Sequence, residues 1–100
     1  VQSPEVRQMV TNHYASPNPF NPMTKIRFAL NSDLPVRVRI HDVRGREIWS
    51  SEKVLATAGE NFVTWQGVDQ RGQAAPTGTY LYSIETRGSI VASGKLSLIK

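Results

Sequence analysis

Beyond residue 22, apolar side chains recur at every second position. Ile26, Phe28 and Leu30 alternate with Lys25, Arg27 and Ala29 over Thr24 to Asn31, and Val36, Val38 and Ile40 alternate with Arg37, Arg39 and His41 over Val36 to Asp42. A period of two marks strands with one buried and one wet face. With a turn over Asp33 to Pro35 between them, the two segments are expected to pair as an antiparallel hairpin. Arg46 to Ser51 carries Ile48 and Trp49 on a short strand, and alternation puts Trp49 outward. Val63 and Trp65 share a face in Glu60 to Gln66, and Tyr80, Tyr82 and Ile84 share one in Thr79 to Arg87. Gly88 then turns the chain, and Ile90 to Lys100 closes it with Leu96 and Leu98 inward. No segment has a helical period. The pattern predicts an all-β fold, an antiparallel immunoglobulin-like β-sandwich of about seven strands. Trp65, the largest inward side chain, belongs at its centre.

The connections carry their own chemistry. Asp42-Val43-Arg44-Gly45 and Asp69-Gln70-Arg71-Gly72 share one grammar, in which an Asp opens a type I turn and a Gly takes the positive φ that follows. The flanking strands differ, so the two copies read as one turn solution used twice rather than as a duplication. Upstream, Ser16 to Pro22 holds three prolines, Pro17, Pro19 and Pro22. Each removes a backbone donor and fixes φ, which excludes a helix or a central strand and predicts a rigid, extended clasp. Asn18 and Asn21, each before a proline, are held extended or in turns, with amides free to bond nearby backbone. Residues 1–16 have no clean period and read as a linker or a short edge strand, which leaves 17–100 as the sandwich. Its terminal strand is expected as an uncapped edge, open to pairing between copies.

Composition narrows the chemistry. At 100 residues the chain is one domain, too short for a multidomain enzyme, and 39 % hydrophobic with 20 % charged residues is ordinary for a globular protein. No stretch approaches the ~18 unbroken apolar residues of a membrane span, and no secretory leader pattern is visible. The absence of cysteine excludes disulfides, thiol catalysis and thiolate metal sites. A net charge of +4 raises the prospect of anionic partners, but the 12 basic residues are scattered singly over a mixed surface. Lys25, Arg27, Arg37 and Arg39 could form a basic sheet face, yet single-strand nucleic-acid binders also need exposed aromatics, and most here read as buried. No nucleic-acid partner is expected.

Catalysis finds no footing either. There is no Gly-x-Ser-x-Gly elbow and no glycine-rich phosphate loop, His13 lies in the linker, and His41 points outward as a solvated side chain. Asp33, Asp42 and Asp69 each sit at a turn and are explained by turn formation. We therefore expect no catalytic residue and no cofactor. A calcium ion held by Asp69 and the carbonyls of its loop is the one alternative, weakened by Gln66, which puts an amide where a second carboxylate would help.

Several segments together carry a resemblance: the clasp Asn18-Pro19-Phe20-Asn21-Pro22, the strand Thr24 to Leu30, Ile40 to Arg46 with Asp42 and Gly45, Val63 to Gly67 with Trp65, the turn Asp69 to Gly72, and Thr77 to Tyr82 with Gly78 and Tyr80. In order and spacing, from about Tyr14 to Lys100, they resemble the type A C-terminal sorting domain of type IX secretion cargo and its relative, the Ig-like domain of the flagellar hook-capping protein. The resemblance implies a noncatalytic module of a larger secreted bacterial protein. Such a module passes through the periplasm, is recognised by outer-membrane secretion and surface-attachment proteins, and ends secreted or at the cell surface, without membrane insertion. The parent's upstream domains would be its other partners. Lys95, Leu96, Ser97, Leu98, Ile99 and Lys100 correspond to the closing strand and basic end that the translocon would read. The sequence departs from the family at Ala15-Ser16, where Tyr more often runs straight into Pro-Asn-Pro, and at Gln66, where Asp is usual. A flagellar structural module and a carbohydrate-binding module using Trp49 and Tyr14 are the alternatives.

Overall fold

A computed structural model of the protein describes residues 10–99, and these form eight strands and no helix. They are β1 (Val10–Ser16), β2 (Thr24–Leu30), β3 (Leu34–Asp42), β4 (Glu47–Ser50), β5 (Val54–Ala56), β6 (Gly59–Trp65), β7 (Gly78–Thr86) and β8 (Ser89–Leu98). All strand pairs are antiparallel. One sheet has the order β1-β2-β6; the other has the order β4-β3-β7-β8, with β5 also paired to β3. The two sheets face each other across a core that includes Ile26, Phe28, Val38, Ile40, Trp65, Tyr80, Ile84, Leu96 and Leu98. The expected all-β immunoglobulin-like sandwich is the fold observed.

Alternation gives the right faces. Strand β2 reads buried at Thr24, Ile26, Phe28 and Leu30, and β3 is buried at Leu34, Val36, Val38 and Ile40. The pairing of these two strands, however, differs from the expected hairpin. β2 lies between β1 and β6, whereas β3 lies in the opposite sheet between β7 and the β4–β5 edge. The short Asn31–Asp33 link therefore crosses from one layer to the other. Asp33 Oδ1 ties it down by accepting the Ala58 N–H at 2.8 Å. Pro35 falls inside β3 rather than in a turn, beyond the last β3–β7 pair of Arg37 with Glu85, where its missing N–H leaves no ladder bond unmade.

The upstream segment also acquires structure. Its described part, from Val10, forms β1 along the edge of β2, with Tyr14 opposite Arg27. His13 is consequently half-buried and partnered: its Nδ1 lies 2.7 Å from the Tyr82 hydroxyl of the other sheet, and the two rings meet edge to face. Trp49 departs from its expected outward position as well. Its cross-strand partner is the fully buried Ile40, and the ladder is irregular next to that pair, so both Ile48 and Trp49 pack part-buried against the core.

The two Asp turns are hydrogen-bonded alike. Asp42 N–H donates to the Arg46 carbonyl, Gly45 N–H to the Asp42 carbonyl, and Asp42 Oδ1 accepts from the N–H of Arg44 and Arg46. Asp69 repeats every bond with Gln73, Gly72, Arg71 and Gln73 in the same roles. Gly45 and Gly72 take φ of +88° and +86°, a conformation that a side chain disfavours.

Candidate docking strand and its clasp

The closing strand β8 is the outer strand of its sheet, so one side of its backbone has no strand neighbour. An exposed edge is a template for any chain with unpaired backbone groups. Here the proline segment occupies part of it. Asn18 acts through its side chain as a strand surrogate: Nδ2 donates to the Lys95 carbonyl at 3.0 Å, and Oδ1 accepts the Ser97 N–H at 2.9 Å. Phe20 continues with its backbone, donating its N–H to the Ser97 carbonyl and accepting the Ile99 N–H, both at 2.9 Å. Prolines cannot extend a ladder, and the residues between them supply the bonds instead. The expected uncapped edge is thus capped over Lys95 to Ile99. The outward register set at Ser97 leaves the backbone of Ser93 facing away from β7 on the uncovered stretch.

Packing locks the clasp from inside. Phe20 is 1 % exposed, its ring centroid 5.5 Å from that of Trp65, which is fully buried at the centre of the sandwich as expected. Trp65 meets Tyr80 edge to face at 5.3 Å and donates its indole N–H to the Val68 carbonyl at 2.8 Å. The Tyr80 hydroxyl donates to the Pro76 carbonyl. Burial, with a lesser push from Asp42, raises the Tyr80 pKa, and burial alone raises that of Tyr82. Thr24, also buried, donates its hydroxyl to the Pro17 carbonyl at 2.7 Å and closes the loop on itself. Pro19, Asn21 and Pro22 remain exposed, and Gly78 opens β7 in extended backbone.

Within the tail, alternation divides the sequence-derived site residues. Leu96 and Leu98 are core side chains at 0 % and 1 % exposure, inaccessible to a partner in the folded domain. Lys95 and Ile99 are exposed and Ser97 half-buried, so these three form the readable side of the strand; Lys100 lies outside the described residues.

Other sequence candidates are dispersed. The supposed basic face does not exist as one patch, because Lys25 and Arg27 lie outward on the β1-β2-β6 sheet and Arg37 and Arg39 outward on the opposite one. Lys25 Nζ sits 4.5 Å from the centroid of Phe62, a residue the sequence reading passed over. Tyr14, Arg27 and Phe62 form a row across three strands, with both aromatics about half exposed. The signal for Phe62 was its parity, opposite to Val63 and Trp65. Asp42 accepts the Arg46 guanidinium at 2.9 Å. Partial burial pushes its carboxyl pKa up, but the bonds from Arg46 and Arg44 together outweigh that and hold it below its ordinary value. Asp69 Oδ1 is engaged by two backbone N–H groups, and among the described residues no group of three or more His, Asp or Glu side chains could hold a metal.

Two packed antiparallel sheets with a central tryptophan and a pinned final strand define an immunoglobulin-like β-sandwich. The profile of the FlgD Ig-like domain family matches residues 20–89, and the chain belongs to that family. Among solved structures it is similar to dimeric latent PorU from Porphyromonas gingivalis, at 23 % identity and a TM-score of 0.74, over 87 % of this chain and 9 % of that one. It is similar also to PorZ, described as an essential bacterial surface component of the type IX secretion system of the same organism, at 19 % identity and a TM-score of 0.60, over 90 % and 12 % of the two chains. A third likeness, at 13 % identity and a TM-score of 0.58, is to the alkylpurine DNA glycosylase AlkC of Pseudomonas fluorescens bound to DNA with an abasic site analog, of which 30 % is covered. At such identities the likeness establishes the fold, and fold alone does not assign function. The chain spans only about a tenth of the PorU and PorZ chains. No curated protein sequence matches it.

Proposed function

We propose that this domain is a noncatalytic sorting and cell-surface anchoring module of a larger secreted bacterial protein, recognised by the type IX secretion machinery after passage through the periplasm. The observation that carries the reading is the closing strand: it is pinned by the clasp and presents Lys95, Ser97 and Ile99 on the surface of a self-contained sandwich. The likeness to PorZ, a surface component of that system by its description, supports the same reading. On this view outer-membrane secretion and attachment proteins read the outward side chains of β8, and neither cofactor nor metal takes part.

The test is a reporter fused ahead of the domain in a bacterium with type IX secretion. The Lys95→Glu/Ser97→Glu/Ile99→Asp variant should retain the reporter in the periplasm while the purified domain still melts cooperatively. Normal export of that folded variant would reject the proposal. The family match favours a second reading, a structural module of a flagellar hook cap. It would be preferred if the domain restored motility when exchanged into a hook-capping protein and gave no export of the reporter.

A further inference from the structure

The outer face of the β4-β3-β7-β8 sheet holds a cleft of about 260 Å³ lined by Pro35, Arg37, Arg39, Lys53, Glu85 and Arg87. Its carboxylate is already engaged. Arg39 reaches Glu47 at 2.7 Å with one terminal nitrogen and Glu85 at 3.1 Å with the other, so a single guanidinium holds both acids. Arg37, Lys53 and Arg87 have no ion pair among the described residues. Four cations against Glu47 and Glu85 leave 4 − 2 = +2 at one place.

Two further observations point to an anion here. Arg37 Nε is shielded from solvent and has no acceptor among the described residues, an arrangement that folded proteins largely avoid. Arg87 has φ of +54°, the one non-glycine residue with positive φ among the described residues. It occupies the first position of the two-residue Arg87-Gly88 turn between Thr86 and Ser89, where Asn, Asp or Gly is usual because a longer side chain strains the left-handed backbone. Strain kept at a cleft rim is a mark of function. Here it holds Arg87 at the rim of the cleft that Arg37 also lines, and planar guanidinium forks match the oxygens of phosphate.

We propose that this cleft binds the dianionic phosphate of a phosphate monoester, with Arg37 and Arg87 donating to its oxygens and Lys53 adding charge. The cleft is larger than phosphate alone, so the group's carrier would share it. The site is independent of the sorting proposal, being on a different part of the sheet from Lys95 to Ile99.

The test is a titration of the isotope-labelled domain followed by NMR at about pH 8, where a monoester is a dianion. Inorganic phosphate, glucose 6-phosphate and acetate are compared at constant ionic strength. Saturable shifts of the Arg37 and Arg87 resonances, with a phosphate or monoester Kd below about 10 mM and acetate about tenfold weaker, are expected. Tighter binding of glucose 6-phosphate than of inorganic phosphate is expected if a carrier shares the cleft, and the reverse order would overturn the monoester assignment. Arg37→Gln should weaken binding about tenfold, and Lys25→Gln on the opposite sheet should leave it unchanged. Arg87→Gly gives the sharper signature: it relieves the backbone and should raise the melting temperature while still lowering phosphate affinity. Non-saturable shifts, equal response to acetate, or undiminished affinity in Arg87→Gly would each overturn the assignment.

Discussion

Gly94 illustrates how a residue without a side chain can fix its neighbours. It pairs across the ladder with Tyr82, and a Cβ built on it would come to 2.5 Å from the tyrosine ring and hydroxyl. The ring therefore lies over the glycine, covering backbone that a larger residue would cover for itself. Tyr82 cannot easily swing aside, because it is 3 % exposed and its hydroxyl meets His13. Gly94→Ala should cost about 1–3 kcal/mol by urea unfolding, as overpacking does. In a Tyr82→Leu background most of that penalty should vanish, which a double-mutant cycle would read as coupling between the two positions. A full, additive penalty in both backgrounds would place the strain elsewhere. The alternation of Tyr80, Tyr82 and Ile84 was readable in the chain, and so was the burial of Trp65. The dependence of Tyr82 on Gly94 was not, since it requires the register of two strands.

The strands show where such reading stops. A period of two states which face of β2 or β3 is buried, and both were read correctly; it is silent on which strand lies alongside. Two half-wet strands joined by a short link suit either a hairpin or a crossing between layers, and only the remaining strands decide. The proline segment was legible as a rigid clasp because proline chemistry is local, while its object, β8, lies 77 residues away at the Asn18–Lys95 bond. Asn18→Ala removes both side-chain bonds to β8 and should lower stability by about 1–2 kcal/mol. Amide exchange should localise the effect: Ser97 and Ile99 would exchange faster, and amides at the centre of β7 would not. Unchanged protection at Ser97 would mean that the Phe20 bonds alone secure the edge.

For the molecule as a whole, the tail serves the core and the surface together. Removing residues 96–100 takes away two fully buried leucines along with the outward side chains, so that truncation should abolish the cooperative thermal transition rather than merely delete a label. A cooperative melt after truncation would show that the sandwich closes without its last strand. Export experiments that rely on deleting the tail would therefore confuse loss of recognition with loss of fold, whereas substitutions at Lys95, Ser97 and Ile99 separate the two. The bridge between Phe20 and Leu98 is parallel. Once β1 has come away from β2, pulling the chain ahead of the clasp against the chain after β8 loads four hydrogen bonds in shear, all together, instead of unzipping them one by one. A domain tethered at one end and hauled from the other would resist tension at this seam.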